Sequence, residues 1–200
     1  MSVPTLGSAD APRPVTILLS GAPGTGKSTV QRRAPAYFRS RLGATAAFGT
    51  DEIHAMIDPD WMLPYEQRRA DFITQTCCHL AQQFLAADFR CVLIAGNALY
   101  TAETVEQYRQ ALTPFSYLYH ITLDADLATL VERVRQRGDL TAHPPAWLAE
   151  WLAHIRGHYA DWTHVIDTTN LSVEETLDVI YAQLLDSNHP PVVARAPRKQ

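Results

Sequence analysis

Residues 15–29, Val-Thr-Ile-Leu-Leu-Ser-Gly-Ala-Pro-Gly-Thr-Gly-Lys-Ser-Thr, restrict the possible folds more than any other stretch of this chain. Residues 15–20 form a short apolar run of the kind found in a central parallel strand covered on both faces. Gly21-Ala22-Pro23-Gly24-Thr25-Gly26-Lys27-Ser28 then spells G-x-x-x-x-G-K-S, and Thr29 follows in the first turn of a helix. The glycines let the backbone wrap so that successive N–H groups point inward at a polyphosphate. Lys27 supplies a positive charge to the β- and γ-phosphates, and the Ser28 hydroxyl can ligate Mg²⁺. The helix start adds the positive end of its dipole. The stretch predicts nucleotide binding; the competing reading is a degenerate loop that keeps the turn without the chemistry.

The rest of the chain supplies the sheet into which this strand fits. A helix over 26–41 is expected to kink at Pro35, which lacks a backbone donor, and to stop at Gly43. Residues 44–48 read as a second strand, 64–87 as a long helix, 90–95 as the clearest further strand and 115–123 as a fourth. Thr101 can cap a helix to Leu112, and Asp124 or Asp126 one that ends near Gly138. Residues 163–166 form a last strand, and Ser172 with Glu175 makes a capping box for a helix to Leu185. Residues 1–14 and 187–200 read as loose tails around a single domain at 15–186. Strands alternating with helices argue for an α/β fold, a parallel sheet with helices on both faces. Ligands in such sheets sit beyond the carboxyl ends of the strands.

That rule picks out the remaining candidates. Asp51 follows the second strand and faces the γ-phosphate end, where a carboxylate can accept a substrate proton or hold a water on Mg²⁺. The bland alternative is an N-cap for a helix over 52–57. Arg133 and Arg137 lie four apart after the fourth strand and can follow charge onto a transferring phosphoryl group, with Arg135 pointing elsewhere; the alternative is a solvated face paired with Glu132 or Asp139. Residues 139–162 are the lid candidate, with hinges at Gly138 and Gly157 and with Trp147, Trp151 and Trp162 as covering or simply packed side chains. Arg68 and Arg69 could bind an anionic acceptor, and Asn97 and Tyr100 could hydrogen-bond one. His154 and His158 could bind a metal, though no third ligand is in view. Arg32 and Arg33 read as surface charge.

Composition narrows the setting. A net charge of −4 gives no support for general nucleic-acid binding. Three cysteines make neither a CxxC pair nor a disulfide pattern, and no apolar run approaches a membrane span. No leader peptide is apparent, so a cytoplasmic protein with reduced thiols is expected.

GAPGTGKST, the AAFGTDEIHAMI region, LVERVRQRGD and HVIDTTNLSVEET together resemble the small P-loop kinases, the group of gluconate, shikimate and nucleotide kinases and chloramphenicol phosphotransferase. FGTDEIHAM and the RGD…VIDTT arrangement look most like chloramphenicol phosphotransferase and related ATP-binding phosphotransferases. The resemblance runs from about Val15 to Leu185. It implies a three-layer P-loop NTPase sandwich with strand order 2-3-1-4-5 and a helical lid. It further implies ATP with Mg²⁺, an acceptor hydroxyl activated by Asp51, and Arg133 or Arg137 as a lid arginine on the phosphates. It places Asp167, Thr168 and Thr169 beside the adenine. One departure is the lack of an acidic residue after the third strand, where the chain reads Leu93-Ile94-Ala95-Gly96-Asn97. Gluconate and shikimate kinases lack it too, which leaves Ser28 and, through water, Asp51 as metal partners. The expectation is an ATP-dependent kinase for a small-molecule hydroxyl. The alternatives are a nucleotide-dependent switch or binding module and a nucleoside or nucleic-acid-end kinase. The acceptor and the oligomeric state are not legible.

Overall fold

The apolar run at the head of the phosphate-binding loop becomes β1 (Val15–Gly21), the middle strand of a five-stranded parallel sheet in the order β2-β3-β1-β4-β5. The computed structural model describes residues 13–62, 67–160, 163–186 and 191–192. The expected onset of the long helix at Pro64, Trp162 and most of both tails lie outside the described residues.

Alternation along β1 builds the two faces of the core. Leu18 enters one apolar cluster with Val92, Ile94, Leu118, Ile73 and Tyr108, while Ile17 and Leu19 enter another with Leu93, Ile121, Val30, Phe38 and Ile180. All three β1 side chains are fully buried, each worth about 1.5–3 kcal/mol relative to exposure. The first face is covered by α4 (Gln67–Ala86) and α5 (Ala102–Leu112), the second by α1 (Lys27–Arg39) and α8 (Val173–Leu185). Three layers result, as the resemblance implies.

The remaining strands are β2 (Thr45–Gly49), β3 (Cys91–Ala95), β4 (Tyr117–Asp124) and β5 (Thr163–Asp167). β4 starts two residues later than the sequence suggests because the N–H groups of Phe115 and Ser116 turn back to the Leu112 carbonyl. α1 runs through Pro35 and ends at Arg39, short of Gly43. Gly43 instead takes φ +108° in the turn that leads to β2. α2 (Thr50–Ala55) is capped at Gly49, and a short α3 (Pro59–Met62) is a helix that the sequence pattern did not suggest. Thr101 caps α5 as expected. Asp126, rather than Asp124, caps α6 (Leu127–Gln136), and Ser172 with Glu175 forms the capping box of α8. The long 139–162 segment contains α7 (Pro145–Arg156).

Pieces of both supposed tails are placed against the sheet. Pro14 accepts a hydrogen bond from the Tyr117 N–H, and Val192 is buried with its N–H on the Leu118 carbonyl, 2.6 Å away. Among the described residues no helix is long and apolar enough to cross a membrane.

Candidate nucleotide and acceptor site

The loop after β1 turns on glycine. Gly21 takes φ +143°, and a Cβ there would lie 2.3 Å from the Leu123 carbonyl oxygen of β4, so no side chain is tolerated. Gly24 and Gly26 are also left-handed, at +90° and +100°. Thr25 pins the loop from inside, its hydroxyl donating to the Ala22 carbonyl at 2.8 Å. α1 begins with Gly26 as its cap, no side chain meets its first turn, and that turn holds no acidic residue. α5, α6 and α8, in contrast, are capped by side-chain oxygens. The helix that faces the loop therefore leaves its N-terminal donors and dipole to an anion.

Lys27 is buried, with its ammonium donating to the carbonyls of Gly21 at 2.7 Å and Ala22 at 2.9 Å. Burial pulls its pKa from 10.5 down to about 7; Asp51 works against that shift and Arg137 with it. Three charged groups from three segments thus share one electrostatic neighbourhood.

Two cavities flank the loop. One of 130 Å³ is lined by Lys27, Ser28, Gln31, Arg32, Asp51 and Glu52 together with the backbone around Gly49 and Gly96. Asp51 is exposed there, in the first turn of α2 rather than at its cap, so the N-cap reading of Asp51 is corrected. The capping duty falls to Glu52, whose carboxylate accepts the Gly49 N–H and the Gln31 side-chain amide, both at 2.8 Å. The close approach of α2 to β3 needs Gly96, where a Cβ would sit 2.4 Å from the Thr50 hydroxyl.

The second cavity, 370 Å³, lies on the other side of the loop, between Gly24, Thr25, Gly26 and Thr29, the arginines Arg133 and Arg137, and Thr168, Leu171 and Thr176. Arg133 is tied down: it donates to the Thr168 carbonyl at 2.7 Å, the Thr168 hydroxyl at 3.2 Å, and the Gly24 and Thr169 carbonyls at 3.5 Å. Thr168, almost fully buried, links its hydroxyl to the Thr25 and Asp124 carbonyls. Of Asp167, Thr168 and Thr169, Thr168 alone lines this cavity. Asp167 accepts the Thr169 N–H, and the Thr169 hydroxyl accepts the Asp126 N–H. Arg137 caps α6 with an exposed side chain, 3.4 Å from Asp139. Arg135 points away and pairs with Glu132 at 2.7 Å, as expected.

A third cavity, of 280 Å³, lies behind α2 and takes in Thr50, His54, Thr74, Tyr100, Thr101 and Tyr108 among its lining. Tyr100 also holds α7. Its hydroxyl meets His154 Nε2 at 3.1 Å, and its ring packs edge-on against Trp151, His154 and His158. Arg156 of α7 forms a two-pronged ion pair with Asp124 at the end of β4, at 3.0 and 3.1 Å. Leu152 and Ile155 bury against Ala22 of the loop itself. Arg68 is exposed and Asn97 half-buried, and neither lines any of these three cavities.

Residues 16–159 match the family model described as AAA domain. The chain belongs to the AAA domain family. Its fold is that of the P-loop kinases. The shikimate kinase from Acinetobacter baumannii in complex with shikimate is 21% identical with a TM-score of 0.54, covering 90% of this chain and 97% of that one. The Mycobacterium tuberculosis APS kinase in complex with AMPPNP and APS is 17% identical with a TM-score of 0.59, covering 88% and 99%. The tunicamycin resistance protein of Deinococcus radiodurans is 20% identical with a TM-score of 0.60, covering 86% and 96%. No curated protein matches this AAA domain by sequence.

Several residues of this AAA domain's site escaped the sequence reading. Glu52 stands three residues after Gly49, the spacing of an N3 acid, and that signal was available. Gln31 and Arg32 lie one turn along α1 from the loop and carry no motif of their own. The His154 and His158 rings lie 4.6 Å apart, tilted by 58°, with His158 Nδ1 on the His154 carbonyl and His154 Nε2 on the Tyr100 hydroxyl. Among the described residues of the AAA domain, no three His, Cys, Asp or Glu side chains cluster to hold a metal.

Proposed function

We propose that this AAA domain is an ATP-dependent small-molecule kinase that transfers the γ-phosphate to an acceptor hydroxyl. The observation that carries this reading is the 130 Å³ cavity in which Lys27 and Ser28 of the loop meet Asp51 of α2. The loop amides of residues 21–29 and the unclaimed α1 terminus hold the phosphates, and the nucleoside lies in the 370 Å³ cavity against Thr168. Lys27 then releases the loop carbonyls for the β- and γ-phosphates, whose charge restores its proton. Asp51 takes the proton of the acceptor hydroxyl as that oxygen attacks the γ-phosphorus in line and ADP leaves. Arg137 follows the charge onto the equatorial oxygens, while Arg133 holds the loop against β5.

Mg²⁺ fits the donor set, because it keeps several waters and asks the protein for only one or two oxygens beside those of the phosphates. Ser28 and, through water, Asp51 supply them. When bound, the ion neutralises charge on the β- and γ-oxygens. The cytoplasm, with its ATP and Mg²⁺, is the setting.

The test is acceptor-dependent ADP release over a panel of sugars, polyols, nucleosides and aminoglycoside or phenicol antibiotics, with Asp51→Asn as the blank. Asp51→Asn lowers kcat by about 10²–10⁴-fold and changes ATP affinity little, whereas Lys27→Ala damages both. Equal turnover by Asp51→Asn and the parent protein sinks the base assignment. Nucleotide-dependent partner binding without any acceptor effect supports the switch instead.

A further inference from the structure

Asp51 makes no hydrogen bond or ion pair among the described residues, so the backbone of α2 decides where its carboxylate lies. Ile53 joins Ile73 of α4 in the core, and Thr50 sits against Gly96 after β3, which seats α2 on α4 and on the end of β3. Lys27 and Ser28 belong to a different helix, α1. Among the described residues, the side-chain bond that ties α2 to α1 runs from Gln31 Nε2 to Glu52 Oε1, at 2.8 Å. The other Glu52 oxygen accepts the Gly49 N–H, also at 2.8 Å, and Gln31 Oε1 lies so close to Gly49 that a Cβ there would sit 3.0 Å away. The end of β2, the first turn of α2 and α1 thus meet at one carboxylate–amide pair.

The second observation is the burial of Gln31, which is 6% exposed. It lies one turn past Lys27 on the buried face of α1, whose other members are Val30, Ala34 and Phe38. A buried amide costs free energy unless it is bonded, and here its donor is spent on Glu52. Both residues line the 130 Å³ cavity with Lys27, Ser28 and Asp51.

We infer that Gln31 and Glu52 are positioning residues: the bond between them sets the spacing of Asp51 from Lys27 and Ser28, and with it the line of attack on the γ-phosphate. This rests on the kinase reading above. Geometry of this kind is sensitive, because a misplacement of about 1 Å can cost about 10²-fold in rate.

The experiment compares Gln31→Leu with Glu52→Gln. Gln31→Leu removes the tie, keeps the shape and leaves the Gly49 cap on Glu52. It lowers kcat by about 10–10²-fold, while Tm and ATP affinity by calorimetry stay level. Glu52→Gln keeps both bonds once the Gln31 amide turns over, and its kcat stays close to that of the parent. Unchanged kcat in Gln31→Leu, or a loss of Tm and ATP affinity in step with kcat, overturns the positioning role. A fall in Glu52→Gln as deep as that in Gln31→Leu also overturns it, because the carboxylate itself would then be what matters. A readout independent of turnover is the Lys27 amine, which Asp51 helps to keep protonated. Asp51→Asn therefore speeds acylation of Lys27 at pH 7, read by mass spectrometry. That gain shrinks in the Gln31→Leu background if the tie places Asp51, and an undiminished gain overturns the inference. A parent protein without acceptor-dependent ADP release overturns the kinase reading and leaves the labelling cycle to decide the positioning.

Discussion

Arg133 and Arg137 are one helical turn apart, yet their surroundings divide them. Arg133 spends its donors on four oxygens of the loop and of the turn after β5, while Arg137 has a single ion partner in Asp139 and an electrostatic reach to Lys27. Arg133→Ala therefore lowers stability by about 1.5–3 kcal/mol, the range for hydrogen bonds to a charged group. Arg137→Ala leaves the urea midpoint unchanged and lowers kcat by roughly 10²–10³-fold, as for loss of one donor to a transition-state oxyanion. Urea titration and steady-state kinetics on the two variants separate the roles, and the opposite pattern would exchange them. The sequence could offer the pair but not the division, because the partners of Arg133 are backbone oxygens 35 and 109 residues away in the chain. The same holds for Asp51. Strand spacing located it, whereas its place in the first turn of α2 depends on Glu52 satisfying the Gly49 N–H.

At the scale of elements, α7 is a docked helix rather than a loose flap. Leu148, Leu152 and Ile155 are buried, Arg156 grips Asp124, and Tyr100 meets His154. In the turn between α6 and α7, Gly138 takes φ +78°, whereas Gly157 is right-handed at φ −65°. Arg156→Ala combined with Tyr100→Phe speeds amide exchange in residues 145–156 and leaves β1 and β4 protected, since local opening follows local contacts. Uniform loss of protection across the sheet would contradict that. Helix ends were legible wherever a side chain makes the cap, at Thr101 and Ser172. They were not where backbone turns decide, as at Ser116, or where a four-residue helix such as α3 leaves no period to read.

The described chain is a parallel sheet with the glycine-rich loop 21–28 beyond its central strand, and alternation with one motif was enough to read that. Strand order came from the resemblance, because crossovers are fixed by packing between distant segments. The buried ionisable groups give the molecule a peaked pH profile. His120, fully buried between the Leu99 carbonyl and Thr163, is pushed by burial from 6.5 down to about 4. The unfolded chain takes up that proton first, so stability falls by roughly 3 kcal/mol as pH drops from 6.5 to 4. Lys27 acts in the same sense higher up: unfolded it keeps its proton to 10.5, folded it loses it near 7, so stability rises above pH 7. Cys78 and Cys91, pushed by burial from 9.0 up to about 12, hold their protons only when folded and reverse the trend above pH 9. Urea midpoints without nucleotide peak near pH 9, and His120→Gln flattens the acid limb. Lys27 also gives the chain a chemical handle. The sequence contains just two lysines, Lys27 and Lys199. Burial that pulls its pKa down to about 7 raises the free-amine share of Lys27 at neutral pH. For an ordinary lysine near 10.4 that share is below about one in a thousand. A small acylating reagent at pH 7 should label Lys27 ahead of Lys199 by mass spectrometry, and ATP should suppress the label, making one covalent adduct a direct gauge of nucleotide occupancy.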